Sequence, residues 1–260
     1  MMNAFQSEWI KLKRPGVLGA VIGAMAAFAA FASALVVTGS FGSDAGPFDA
    51  SAVVDLSSAD GIASGLGLAA QFIGLVALVM VAWMVAREFG DGTIRNLLIR
   101  MPQRMKLAAG KFGALASLLT AGVVVAAAAA VVAAFAFAPG SGVDTGAWLS
   151  AGGLLAVGKG TGQLLLATLG WASLGALLGV VLRSGALAVG VGLAWMLPVE
   201  GLLGASIGDA ADLLPGTVFA TIAGGASEIS YTTALLLGLL YAGAAAAVSL
   251  AVFRRHDVTG

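Results

Sequence analysis

The sequence contains no cysteine and one histidine, His256. Disulfides, thiolate nucleophiles and thiolate metal sites are therefore excluded. His-based catalysis or metal binding inside the body of the chain is excluded with them. Charge is also scarce. Only 10% of the residues are Asp, Glu, Lys or Arg, against about a quarter in soluble domains. So few charges cannot cover a surface that faces water. Acids and bases balance at a formal net charge of zero, which gives no electrostatic case for nucleic-acid binding. What remains is apolar: 60% of the 260 residues are hydrophobic, so most of the surface must face lipid.

Crossing a bilayer takes about 20 apolar helical residues. Six stretches qualify: 17–38, 62–86, 107–138, 161–182, 185–204 and 232–253. They are rich in Ala, Val, Leu and Gly and lack the strict alternation of barrel strands, so they read as helices. The third is too long for a vertical span. It begins in the cytoplasm, tilts or ends past the membrane. The expected fold is an all-α integral membrane protein, one six-span domain over residues 1–260. Six spans put both termini on one side. If that side is the cytoplasm, every Lys and Arg except Lys159 falls inside, while Asp44, Asp49, Asp55, Asp60, Asp144, Asp209, Asp212 and Glu228 fall outside. The positive-inside rule therefore places the protein in the cell (inner, cytoplasmic) membrane with both termini cytoplasmic. Lys11 to Arg14, the first apolar run and Ala32-Ser33-Ala34 also match the outline of a secretory signal; an uncleaved first span is the expectation.

Several pieces outside the spans are more than plain loops. In residues 3–14, Phe5, Trp9 and Leu12 share one helical face, with Glu8 and Arg14 largely off it. This predicts an interfacial helix anchored by Trp9, broken at Pro15-Gly16. The loop "AREFGDGTIRNLLIRMPQRMKLAAGK" holds a second amphipathic helix. Gly90-Asp91-Gly92 is a turn signal, and Asp91 or Thr93 can cap. Ile94, Leu97, Leu98 and Met101 fall on one face, Asp91 and Arg95 stand at favourable i, i+4 spacing, and Pro102 ends the helix. Such a bracketed helix suits docking into a partner's groove. The segment 145–158 reads as an outer interfacial helix with Trp148 as its anchor. Farther on, "DLLPGTVFATIAGG" (212–225) is too short to span. It is either a re-entrant or interfacial segment sheltered by protein or a loop packed on the bundle.

Polar groups inside the spans are the candidate pathway or gate residues. Glu200 lies in the fifth span, two residues after Pro198. An acid there is expensive and functional by default, and Pro198 is expected to kink the helix. Two bland alternatives stand beside that reading: Glu200 reaches outer water, or it pairs with Lys159. Gln71 is expected to hydrogen-bond a neighbouring helix. Pro215 breaks the outer segment. The stretch "GLLAVGKGT" (153–161) nearly matches a nucleotide-binding P-loop, but Gly160 stands where Ser or Thr must follow the Lys and no strand precedes it. Lys159 is left as an outer interface anchor, a partner for an acid such as Asp144, or a contact for lipid headgroups or anionic cargo. The pairs Gly19/Gly23 and Gly175/Gly179 match the close-packing G-x-x-x-G spacing, which chance alone produces in so Gly-rich a chain.

The loop "REFGDGTIRNLLIRMPQR", with Lys111 beyond it, resembles the loop between spans two and three of ABC-2 type permeases, the membrane subunits of ATP-binding-cassette transporters. The shared pattern falls on Glu88, Gly92-Thr93, Leu97-Leu98, Pro102, Arg104 and Lys111. "SEWIKLKR" (7–14) is similar to that family's N-terminal elbow helix, "LLPG" (213–216) to its outer segment, and Phe253-Arg254-Arg255-His256-Asp257 to its tail. The resemblance implies an exporter subunit, not an enzyme, that pairs with a second permease subunit and docks on a cytosolic ATPase dimer. ATP and magnesium would be bound there, with no cofactor on this chain. It makes 93–100 the coupling helix. Glu88, Asp91, Gly92, Thr93, Ile94, Arg95, Leu97, Leu98, Arg100, Pro102 and Arg104 are then the ATPase-coupling residues. Phe5, Glu8, Trp9, Leu12 and Arg14 form the elbow.

Two other functions compete. An ion-coupled secondary transporter would use Glu200, yet clear paired broken helices are lacking. An intramembrane enzyme would need a catalytic constellation, and none is visible. The few polar groups in the spans suit an apolar or amphipathic cargo, such as a drug, lipid or peptide.

Overall fold

The structure is a computed structural model that describes residues 15–39, 55–90, 104–225 and 227–255. Its helices are α1 (Pro15–Val37), α2 (Gly65–Gly90), α3 (Arg104–Phe137), α4 (Ala151–Leu182), α5 (Gly185–Ala194), α6 (Glu200–Ile207), α7 (Pro215–Ile222) and α8 (Tyr231–Arg255). A π turn, Trp195–Val199, joins α5 to α6. No strand occurs among the described residues. Six helical stretches are long and apolar enough to cross a bilayer: Leu18–Val37, Ala59–Glu88, Ala109–Phe137, Ala151–Leu182, Gly185–Leu213 and Tyr231–Val252. Traversed alternately, they put Pro15, Gly90, Arg104, Leu182 and Arg255 at one end of the bundle, called the near end. Residues 55–64, 138–150, 208–225 and 227–230 then lie at the far end.

The third span is one unbroken helix of 34 residues, about 51 Å at 1.5 Å per residue. That exceeds the roughly 30 Å of hydrocarbon, and the near end of the helix carries Arg104, Lys106 and Lys111. The fourth span overturns one expectation. It begins at Ala151 rather than 161, so no separate interfacial helix occupies 145–158. Ser150 sets the start: its side chain accepts from Gly153 N–H at 3.2 Å, the capping that Ser performs well. At the other end Arg183 takes a left-handed conformation, φ 53°, which is rare for a residue with a Cβ. Ser184 follows and caps α5, so the chain turns sharply between spans four and five.

Small residues hold the centre. α2 packs along α4, and α1 lies against α2 and α3. A Cβ on Gly175 would lie 2.5 Å from the Leu78 carbonyl oxygen, so glycine is what lets α4 approach the α2 backbone. The Gly175/Gly179 pair thus serves packing inside one chain. A Cβ added at Gly19 or Gly23 would meet nothing within 4 Å among the described residues. Phe28 of α1 stacks on Phe72 of α2, with centroids 5.2 Å apart and planes 8° apart.

Trp148 is not a membrane anchor. It is fully buried (0% exposed) at the far end. Its indole N–H donates to the Leu56 carbonyl at 2.8 Å, and its ring meets Phe135 edge-on at 5.2 Å. Burial of an indole calls for such a partner, since its one donor cannot be left unpaired cheaply. The far-end turns around Leu56 and Trp148 are thereby tied into a cap.

Candidate functional site

Span five changes pitch at Trp195–Val199. Pro198 has no N–H to give and its ring crowds the preceding turn, which an α-helix tolerates poorly. The chain answers with a π turn, in which the Glu200 N–H reaches the Trp195 carbonyl five residues back. The expected break at Pro198 is present, as this wide turn. The extra residue rotates everything beyond it by about 100° relative to a plain α-helix. α6 leaves the bundle, its main contacts being the turns that flank it. Glu200 points the other way and is buried, 9% exposed.

The carboxylate lands on the first turn of α7. Glu200 Oε1 accepts a hydrogen bond from the Gly216 N–H. The Thr217 N–H and the Trp195 indole face the same group. Neither the exit to outer water nor a pair with Lys159 is present. Lys159 is exposed, and no acid pairs with it among the described residues. Asp144 accepts from Gly146 N–H instead.

Local sequence explains why α7 offers its end to an acid. Pro215 stands at the first helical position, where its missing N–H costs nothing and its φ suits the helix. Gly216 is then the first free donor. A Cβ on Gly216 would come within 2.7 Å of the Glu200 carboxylate. Glycine therefore gives the carboxylate its approach, and the positive end of the helix gives it a favourable field. Pro215 thus starts a helix rather than interrupting one.

A second contact reaches the same turn from span six. Tyr241 donates its hydroxyl to the Leu213 carbonyl. The body of α7 is held by an aromatic column. Phe219, 1% exposed, meets Trp171 of α4 edge-on at 5.2 Å and Tyr241 of α8 at 6.5 Å. Gly170 makes room for it, since a Cβ there would overlap the Phe219 ring. Each such aromatic pair contributes about 0.5–1.5 kcal/mol beyond burial. Within 212–225, α7 is a helix packed between α4 and α8.

Gln71 does not join this group. It is half-buried on α2 and makes no side-chain hydrogen bond among the described residues, so the expected bridge to a neighbouring helix is not formed. Tyr241, Phe219 and Gly170 are site residues that the sequence does not single out, and Trp171 reads there only as a belt or packing residue. Tyr241 leaves a signal. It is one of two tyrosines in the chain and sits inside an apolar span, where a hydroxyl needs a partner.

At the near end, Glu88 of α2 and Lys111 of α3 form an ion pair that is largely shielded from solvent. It ties together the two helices that flank residues 91–103. Arg87 lies 5.9 Å from the centre of the Trp83 ring. Arg104 is the first residue of α3. Asp91, Gly92, Thr93, Ile94, Arg95, Leu97, Leu98, Arg100 and Pro102 lie outside the described residues, as do the elbow positions Phe5, Glu8, Trp9, Leu12 and Arg14. No group of acids or histidines that could hold a metal occurs among the described residues.

Six apolar helices with a polar joint at one end define a multi-pass, all-helical membrane protein. Residues 49–259 match the family described as "Protein of unknown function (DUF2705)", and the chain belongs to that family. No curated protein matches it.

Proposed function

We propose that the chain is the membrane-spanning permease subunit of an ATP-binding-cassette exporter. It would move an apolar or amphipathic substrate outward, driven by a separate ATPase dimer, and would work beside a second permease subunit. It would lie in the cytoplasmic membrane with both termini inside. The observation that supports this most is the Glu88–Lys111 ion pair. The pair clamps α2 to α3 just where the 91–103 loop leaves and returns. A push on a helix in that loop would then load both spans together rather than bend one. ATP and cargo would bias one shared equilibrium, each by binding its two states unequally. At the far end, α7 would be the re-entrant segment and the Glu200–Pro215 region the outer gate.

The ion-coupled alternative has less support. A carrier carboxylate must be free to exchange its ion, and that of Glu200 is engaged with the first turn of α7.

Co-purification with the ATPase tests the proposal. The complex is expected to survive detergent, and replacing residues 92–100 with a Gly/Ser linker is expected to leave ATP hydrolysis running while transport stops. A chain that transports with no ATPase present refutes it.

A further inference from the structure

α7 is held at its start from two sides. Glu200, on span five, accepts from the Gly216 N–H. Tyr241, on span six, donates to the Leu213 carbonyl. The two bonds grip residues on either side of the Leu214-Pro215 turn, one through a donor and one through an acceptor. The Glu200 bond is buried, the Tyr241 bond lies at the exposed edge, and neither depends on the other's atoms. Farther along, Phe219 and Ile222 sit over Gly170 and Gly238 with apolar contact only. The start of the helix is thus bonded and its body is merely packed.

We propose that Glu200 and Tyr241 form a two-point latch that seats α7 between spans four and six. α6 makes most of its contacts with the turns beside it, so little else ties the far half of span five to span six. If those halves separate, one of the two bonds must break. Releasing either leaves α7 attached by one point and free to pivot on Phe219. Glu200 and Tyr241 are positioning residues. The latch rests on the fold alone; only its use as the outer gate rests on the transport reading.

The absence of native cysteine makes the test clean. Val218 is fully buried in the first half of α7. Val218→Cys in the full chain, reconstituted in lipid nanodiscs, is to be labelled with a water-soluble maleimide. Ser33→Cys, buried in α1, reports any general opening of the bundle. Glu200→Ala is expected to speed labelling at position 218 by about tenfold or more and Tyr241→Phe by about fivefold, the factors set by losing one charged and one neutral hydrogen bond. Labelling at position 33 should stay unchanged. Where position 33 also reacts faster in Glu200→Ala, the comparison passes to Glu200→Gln. That variant keeps an acceptor but loses the charge, and its rate should lie between that of the parent and about threefold faster. Rates at position 218 within about twofold of the parent in both Glu200→Ala and Tyr241→Phe overturn the latch. So does a rise in only one of them, which would leave a single strut. No ATPase or cargo enters the measurement, so a failed transport reading would leave its outcome intact.

Discussion

The Glu200 carboxylate of α6 accepts a hydrogen bond from the Gly216 backbone N–H on α7, sixteen residues along the chain. Bonds to a charged group are worth about 1.5–3 kcal/mol, more than neutral ones. Glu200→Ala is therefore expected to lower unfolding free energy by about that amount, read by thermal or SDS denaturation of purified protein. Glu200→Gln keeps the acceptor and should cost under about 1 kcal/mol. Equal losses in the two variants would mean that the charge, not the bond, matters.

Gly216→Ala probes the same contact from the other side. The new Cβ would stand 2.7 Å from the carboxylate and force it away. The expected loss is about 1–3 kcal/mol, as for other overpacked sites. In the Glu200→Ala background the same change should be nearly harmless, because the obstructing group is gone. A double-mutant cycle measures this.

Gly170→Ala should push Phe219 out of its seat, since the added carbon would overlap the ring. We expect a loss of about 1–3 kcal/mol. Phe219→Leu, which shortens the intruding edge, should recover part of it when combined. No recovery in the double variant would place the strain elsewhere.

The Glu88–Lys111 pair is sheltered enough for its loss to be felt. Lys111→Met removes one charged partner of Glu88 and should cost about 1.5–3 kcal/mol. Exchanging the two residues, Glu88→Lys with Lys111→Glu, should restore most of it. If the chain is a permease subunit, the single variants should also uncouple ATP hydrolysis from export, and the exchanged pair should recouple it.

Orientation is testable in intact cells. Ser141→Cys, in the exposed turn between α3 and α4, should react with an impermeant maleimide added outside. Asn96→Cys should react only after lysis. The reverse pattern would invert the topology derived from charge.

Much of the fold is legible in the sequence because the bilayer imposes a length. Runs of apolar residues and the breaks between them mark four of the spans to within a few residues, while the fifth runs on to Leu213 rather than ending at 204. The start of the fourth is hidden because Gly152, Gly153, Gly158, Lys159 and Gly160 dilute its first turns, and only the Ser150 cap shows where it begins. Pro198 and Glu200 stand out, since each is costly in a span. Their partners do not. Nothing in a Gly216 or a Gly170 says which side chain will need its missing Cβ, because that depends on helices that meet only after folding. Trp148 is ambiguous for the same reason. An indole suits the membrane interface and a buried cap equally well, and its partner, the Leu56 carbonyl, carries no side-chain signature.

That last bond also sets an order of events during synthesis. Leu56 and Trp148 are 92 residues apart. At about 5–20 residues per second, the Leu56 carbonyl waits roughly five to twenty seconds for its donor to be made. Spans one to three can insert in that interval, but the first loop cannot reach its final form. The cap closes only when the start of span four arrives, so a ribosome stalled before Trp148 leaves a bundle open at that face.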